Sequence, residues 1–183
     1  MEPEVDPERI ARARNGDASA FEALVEARVG SMTRTAMAIL GREDEARDAV
    51  QDTLLTAWRE LASLRDPAAF DAWLTRILVN RCRRGLRRFG LSRLREVPAD
   101  QVTDADLPRS ADIASAAVDR GVLERAFERL SVEDRSILVL HHLEGRSLAS
   151  IAAVLRIPEG TAKSRLFKAR RALERSMARE AER

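Results

Sequence analysis

The feature that most constrains this chain is its apolar spacing. Val50, Leu54, Ala57, Trp58 and Leu61 recur at steps of four, three, one and three, which stacks them as one stripe on a 3.6-residue helical period. Phe70, Trp73, Leu74, Ile77 and Leu78 repeat the pattern after the break Arg65-Asp66-Pro67. Two such stripes facing one another predict a compact helical unit. Aliphatic residues and alanine supply nearly all of the 45% hydrophobic content, while aromatics make up only 4%, a balance that favours helices over strands. Earlier breaks fall at Asn15-Gly16-Asp17 and Gly41-Arg42, with Asp17 and Ser19 as candidate helix caps.

Between Glu96 and Asp119 the periodicity fades, Pro98 and Pro108 appear, and acidic residues dominate. This composition predicts a flexible acidic linker. Periodicity returns with Val118, Val122, Ala126, Phe127 and Leu130, then Ile137 to Leu143, Leu148 to Leu155 and a last helix from about Glu159 to Arg179. The expected fold class is all-α: two small helical domains over residues 8–90 and 119–178, joined by a linker over 91–118.

Charge is segregated. Charged residues form 34% of the chain, yet the formal net charge is only +2, so any electrostatic footprint must be local. Ser147 to Lys163 reads as a serine-capped helix, a tight break at Ile157-Pro158 and a second helix start, the layout of a helix-turn-helix. On the final helix Ala162, Leu166, Ala169 and Leu173 share one side, leaving Ser164, Phe167, Lys168, Arg171 and Arg175 around the other. A basic helix of this kind suits the major groove of DNA; a solvated basic face is the lesser alternative from charge alone, and the preceding helix-turn-helix layout weakens it further. A second basic run, Asn80 to Arg95, contains arginines and no acid, and can neutralise phosphates or serve as a surface charge run.

These residues resemble a known family. Leu130-Ser131-Val132-Glu133-Asp134-Arg135, Leu143-Glu144-Gly145, Ile151-Ala152 and Gly160 through Leu173 look like region 4 of extracytoplasmic-function (ECF) sigma factors of the sigma-70 family. Asn15-Gly16-Asp17 with Ala20-Phe21, Asp48 through Leu54 with Ala57-Trp58, and Phe70 through Asn80 look like sigma region 2. The sequence departs from the family pattern at Arg47, Ala49, His141, Arg146 and Ser150. The resemblance implies a sigma factor that binds core RNA polymerase, captures the melted minus-10 strand and reads the minus-35 duplex. It assigns polymerase binding to Asp48, Gln51, Asp52 and Leu55, with Leu55 as an apolar anchor in a polar rim. The minus-10 contacts fall on Ser63, Leu64, Arg65, Arg76, Asn80, Arg83 and Arg84. The minus-35 contacts fall on Lys163, Ser164, Arg165, Phe167, Lys168 and Arg171. An anti-sigma factor is a further partner implied by the family.

Other classes find less support. A stand-alone helix-turn-helix regulator would explain the final helix, but such proteins usually dimerise, and no dimerisation helix is evident. Asp44, Asp48 and Asp52 lie at helical spacing and could in principle hold magnesium, but a solvated acidic face explains them more simply. His141 and His142 are expected to point to different sides of a helix and so not to chelate one metal. No Walker-type loop and no nucleophile with an obvious base is present, so no enzyme activity, cofactor or metal is expected. Cys82 is the only cysteine, which forbids an intramolecular disulfide. Without a secretory signal or a long apolar run, the expectation is a cytoplasmic protein with no membrane insertion.

Overall fold

The computed structural model describes residues 6–88 and 120–181. The expected linker lies outside the described residues.

In the first half, α1 (Pro7–Arg14) begins with Asp6 accepting from the Glu8 amide and with proline in the first turn, where its missing N–H costs nothing. It ends at Asn15-Gly16. Asp17 then caps α2 (Ala18–Leu40), accepting the Ala20 amide at 3.0 Å. Ser19 is not a cap itself; its hydroxyl donates to Asp17 Oδ1 at 2.7 Å. The Ser19 and Ala20 hydrogen bonds, together with Arg12, hold the Asp17 carboxyl far below the usual carboxylate range. Gly41, at φ +77°, closes α2 in the left-handed region, with its amide on the Met37 carbonyl. The third helix, α3 (Glu43–Glu60), opens with Glu43, Asp44 and Glu45 in its first turn, which complements the helix dipole. A 3₁₀ turn (Leu61–Ser63), an extended stretch and a second 3₁₀ turn (Pro67–Ala69) capped by Asp66 lead into α4 (Phe70–Arg88).

The expected stripes form the core of this half, with one exception. Val50, Ala57, Leu61, Phe70, Trp73, Leu74, Ile77 and Leu78 are buried, and Leu54 is partly so. Trp58 is 38% exposed, because it stands at the margin of the bundle, where its ring lies 5.1 Å from that of Phe21. On α4 the buried arc is wider than one stripe, since Val79, Cys82 and Leu86 are also enclosed. The helix packs against α2 and α3 on one side and against the second half of the chain on the other. Arg28 of α2 is buried too. It is ion-paired with Asp71 of α4, donates to the Leu24 carbonyl at 2.7 Å and stands over the Phe70 ring.

The second half comprises α5 (Arg120–Glu128), α6 (Val132–Leu138), α7 (Leu148–Leu155) and α8 (Glu159–Ala181). Ser131 caps α6 and Ser147 caps α7 through the Asp134 and Ser150 amides. After Leu138 the chain widens without a break into a π-helical turn, Val139–Leu143. Helix α8 packs on α5, α6 and α7. Near its end the buried Glu180 carboxylate receives Arg129 at 2.6 Å and Arg125 at 3.1 Å.

The chain is all-α over the described residues, in two helical halves as expected. The halves touch. Arg135 is buried and donates to the carbonyls of Leu130, Glu128 and, across the junction, Ile39; burial pushes its pKa down. Thr35 donates to Glu144 at 2.5 Å. A single apolar cluster runs from Ile10 through Leu78 to Ala169.

Candidate nucleic-acid and polymerase interfaces

On α3, burial of Ala46, Ala49, Val50, Thr53 and Ala57 fixes which side of the helix faces inward. Asp48, Gln51, Asp52 and Leu55 therefore project together from the opposite side, and all four are exposed. Leu55 is 49% exposed. The Asp52 carboxylate lies 3.6 Å from Arg81 of α4, which also donates to Thr56 Oγ1 at 2.5 Å. Asp44 faces Arg42 in the same way. The exposed part of Trp58 adds apolar surface one turn beyond Leu55. Sequence reasoning placed it in the core because its spacing fits the stripe; its neighbours Arg59 and Glu60 are the signal that the stripe there reaches solvent.

The loop after α3 and the following helix divide the residues expected to meet the minus-10 strand. Ser63 and Arg65 are exposed. Leu64 is 5% exposed, so its expected contact with DNA is corrected: its side chain anchors the loop in the core between two exposed polar neighbours. Arg76, Asn80 and Arg83 recur at steps of four and three and share a face of α4, each partly buried, while Arg84 is exposed. Arg83 donates from Nη2 and Nε to Glu133 Oε1 of α6 at 2.7 and 3.1 Å. The Arg76 pKa is pushed down by burial and by the nearby positive charge of Arg156.

In the second half Ser147 and Ile151 position α7, and the chain turns through Arg156 at φ +54°, the one described non-glycine residue with positive φ. The Ile157 amide donates to the Ala152 carbonyl at 3.1 Å and the Ala162 amide to the Pro158 carbonyl at 3.0 Å, which fixes the start of α8. Ala162, Leu166 and Ala169 are buried. Lys163, Ser164, Arg165, Lys168 and Arg171 are exposed as a result. Phe167 is half-buried, with the Arg171 guanidinium 5.6 Å from its ring centre. The helix presents cations on a face that carries no competing apolar stripe, which suits phosphates and base edges.

The two histidines differ from expectation. Their rings meet edge to face at 4.8 Å, because the wider π-turn changes the angle between successive side chains. His141 Nδ1 lies 3.1 Å from the Arg146 carbonyl, and His142 Nε2 accepts from Arg170 at 3.3 Å. Among the described residues no group of three or more His, Cys, Asp or Glu is placed to hold a metal ion. No helix there is long and apolar enough to cross a membrane.

Comparison with known proteins follows the same division. The family described as Sigma-70 region 2 matches residues 24–90, and Sigma-70, region 4 matches residues 120–173. The chain is 34% identical over 171 residues to the ECF RNA polymerase sigma factor SigM of Mycobacterium tuberculosis, covering 93% of this chain and 83% of that protein. It is 28% identical over 186 residues to the RNA polymerase sigma-H factor of Pseudomonas aeruginosa, covering 95% and 94%. Among solved structures, CnrH in complex with the cytosolic domain of CnrY superposes with a TM-score of 0.64 at 26% identity, covering 93% of this chain and 96% of that one. The sigma factor RpoE in complex with the anti-sigma factor NepR from Bartonella quintana shares the fold, with a TM-score of 0.63 over 88% of this chain and 98% of that one. With an exposed apolar-and-acidic face on α3, a helix-turn-helix with a cationic second helix, and both regions matched in order, the chain belongs to the sigma-70 family and is an ECF sigma factor.

Proposed function

We propose that this protein is a non-enzymatic subunit that brings core RNA polymerase to promoters, with labour divided between its halves. The observation that carries the reading is the pairing, in one chain, of the exposed Asp48, Gln51, Asp52 and Leu55 face with the exposed cations of α8. Leu55 supplies an apolar anchor and its polar neighbours a rim, the composition of a protein docking patch. Lys163, Ser164, Arg165, Lys168 and Arg171, with Phe167 beneath Arg171, meet the minus-35 duplex in its major groove. Arg65, Arg76, Asn80, Arg83 and Arg84, with Ser63 in the preceding loop, hold the unpaired minus-10 strand through phosphates and base edges. Strand capture then drives melting by binding energy, and no nucleotide hydrolysis or cofactor is needed.

The work is done in the cytoplasm, where polymerase and chromosome are. An anti-sigma factor is proposed as a further partner, since the structural relatives CnrH and RpoE were solved with CnrY and NepR, of which NepR is described as an anti-sigma factor.

Run-off transcription with core polymerase on genomic fragments tests the whole reading. The expected result is discrete transcripts that require the protein. Asp52→Lys with Leu55→Asp should abolish co-purification with core enzyme while leaving helicity unchanged, and intact binding refutes the assignment. Arg84→Glu with Asn80→Ala should weaken permanganate reactivity of the minus-10 region more than it weakens polymerase binding. Tight, specific promoter binding by the purified protein alone, with no transcripts on adding polymerase, would favour a stand-alone regulator.

A further inference from the structure

The docking face of α3 and the strand-reading face of α4 adjoin at one side chain. Arg81 of α4 reaches across to α3, where its Nη2 donates to Thr56 Oγ1 at 2.5 Å and its Nη1 lies 3.6 Å from Asp52 Oδ2. Thr56 Oγ1 donates in turn to the Asp52 carbonyl at 2.8 Å. Asp52 belongs to the polar rim around Leu55. On its own helix Arg81 directly follows Asn80 and stands three residues before Arg84, so it borders the residues that meet the unpaired strand, on the side of α3. Arg81 itself belongs to neither set of contact residues.

Each partner of this pair covers the other's charge. Asp48 and Asp52 make the rim acidic, and an acidic rim fits a cationic surface on its partner. The Asp52 side chain is 61% exposed and that of Arg81 28%. An ion pair this open to water is weak, and 3.6 Å is longer than the roughly 2.7–2.9 Å of a charge-assisted hydrogen bond. A polymerase cation that takes Asp52 therefore displaces Arg81 at little cost. Among the described residues Asp52 is the one carboxylate within ion-pair distance of Arg81. Thr56 keeps its hold on Nη2 but is neutral, so the guanidinium stays at the edge of α4 with its charge uncovered. A phosphate of the strand beside Asn80 and Arg84 is the natural replacement.

We propose that Asp52 masks Arg81 in the free protein, and that polymerase, by taking the carboxylate, hands the guanidinium to a phosphate of the minus-10 strand. Arg81 thus supplies a strand contact that exists only in the complex with polymerase, which joins docking to strand capture through one side chain. This handover rests on the function proposed above and needs no movement between the two halves.

Salt dependence of strand binding by the protein in complex with core polymerase tests the proposal. The probe is a fluorescent single-stranded oligonucleotide carrying the non-template minus-10 sequence of a promoter mapped by run-off transcription. Each phosphate neutralised on a single strand contributes about 0.7 to the slope of log affinity against log salt. Arg81→Gln, which keeps a donor for Thr56, should lower that slope by about 0.7 and weaken strand binding roughly fivefold at about 0.1 M salt. Arg81→Lys, which keeps the charge, should restore the slope. Core polymerase should bind Arg81→Gln at least as tightly as the unaltered protein, because the rim carboxylate is no longer shared. Misfolding would weaken both interactions and cannot imitate this pattern. An unchanged slope in Arg81→Gln overturns the proposal, as does a lowered slope in Arg81→Lys. Weaker polymerase binding by Arg81→Gln overturns it too, since the arginine would then be a brace for Asp52.

A second arm removes the mask without polymerase, using the free protein and a thymidine oligonucleotide. Asp52→Asn should tighten binding and steepen the salt slope by about 0.7, and the gain should disappear when Arg81→Gln is present in both proteins compared. No gain, or an equal gain with and without Arg81, overturns the masking. If the unaltered protein forms no complex with core polymerase, the sigma-factor reading fails, while this arm still decides whether Asp52 covers Arg81.

Discussion

Arg28 shows how much one charged side chain can contribute when the fold closes around it. Its guanidinium is 7% exposed, and its partner Asp71 is 18% exposed. Removing one member of such a pair leaves an uncompensated buried charge, at a cost of about 3–5 kcal/mol. Arg28→Ala is therefore expected to lower the melting temperature by about 10 °C or more, whereas Arg47→Ala, which breaks the exposed pair with Glu43, should change it by little. Thermal denaturation by circular dichroism checks both. His142 gives a pH signature. Burial, with Arg170 and His141 nearby, lowers its pKa below 6.5, so folding favours the neutral ring that accepts from Arg170. The sign follows: this stability is present above pH 6.5 and is lost as pH falls through the lower folded pKa. The fall in melting temperature between pH 7 and 5 should shrink in His142→Gln, which retains an acceptor. Neither Arg28 nor His142 was legible in the sequence. A charged residue in a helical pattern reads as surface, and the partner of Arg28 is 43 residues away. Leu64 failed for the converse reason: within a polar loop, nothing marks one leucine as turned inward.

At the level of elements, the helix-turn-helix could be read from Ser147, Ile151, Leu155 and Pro158, because caps, apolar spacing and breakers act over a few residues. Helix α7 begins and ends where that pattern places it. The π-turn could not be read, since an apolar run from Ile137 to Leu143 fits a period of 3.6 or a wider one equally well over so few residues. Arg156 marks a strained point within the legible motif. An L-residue in the left-handed region costs roughly 1–2 kcal/mol relative to glycine's free access, and the charge of Arg156 opposes Arg76. Arg156→Gly should raise the melting temperature by about 2–4 °C, as measured by differential scanning fluorimetry. A fall would mean that contacts of the arginine side chain outweigh the relief of backbone strain.

For the molecule as a whole, the division into two helical halves was visible in composition, but their mutual packing was not. The junction rests on single polar contacts such as Thr35 with Glu144, 109 residues apart, and no periodicity records a pairing of that kind. Because one apolar cluster spans both halves, calorimetry should show a single unfolding transition for the unaltered protein. Glu133→Lys combined with Glu144→Ala should split it in two, with the smaller second half melting first. The position of Cys82 in α4 has a consequence for signalling. The chain's sole sulfhydryl is sealed inside the bundle and kept protonated, so thiol oxidation and disulfide exchange have no handle on the folded protein, and a cue carried by thiol chemistry would have to be sensed by another molecule and delivered as a change in binding.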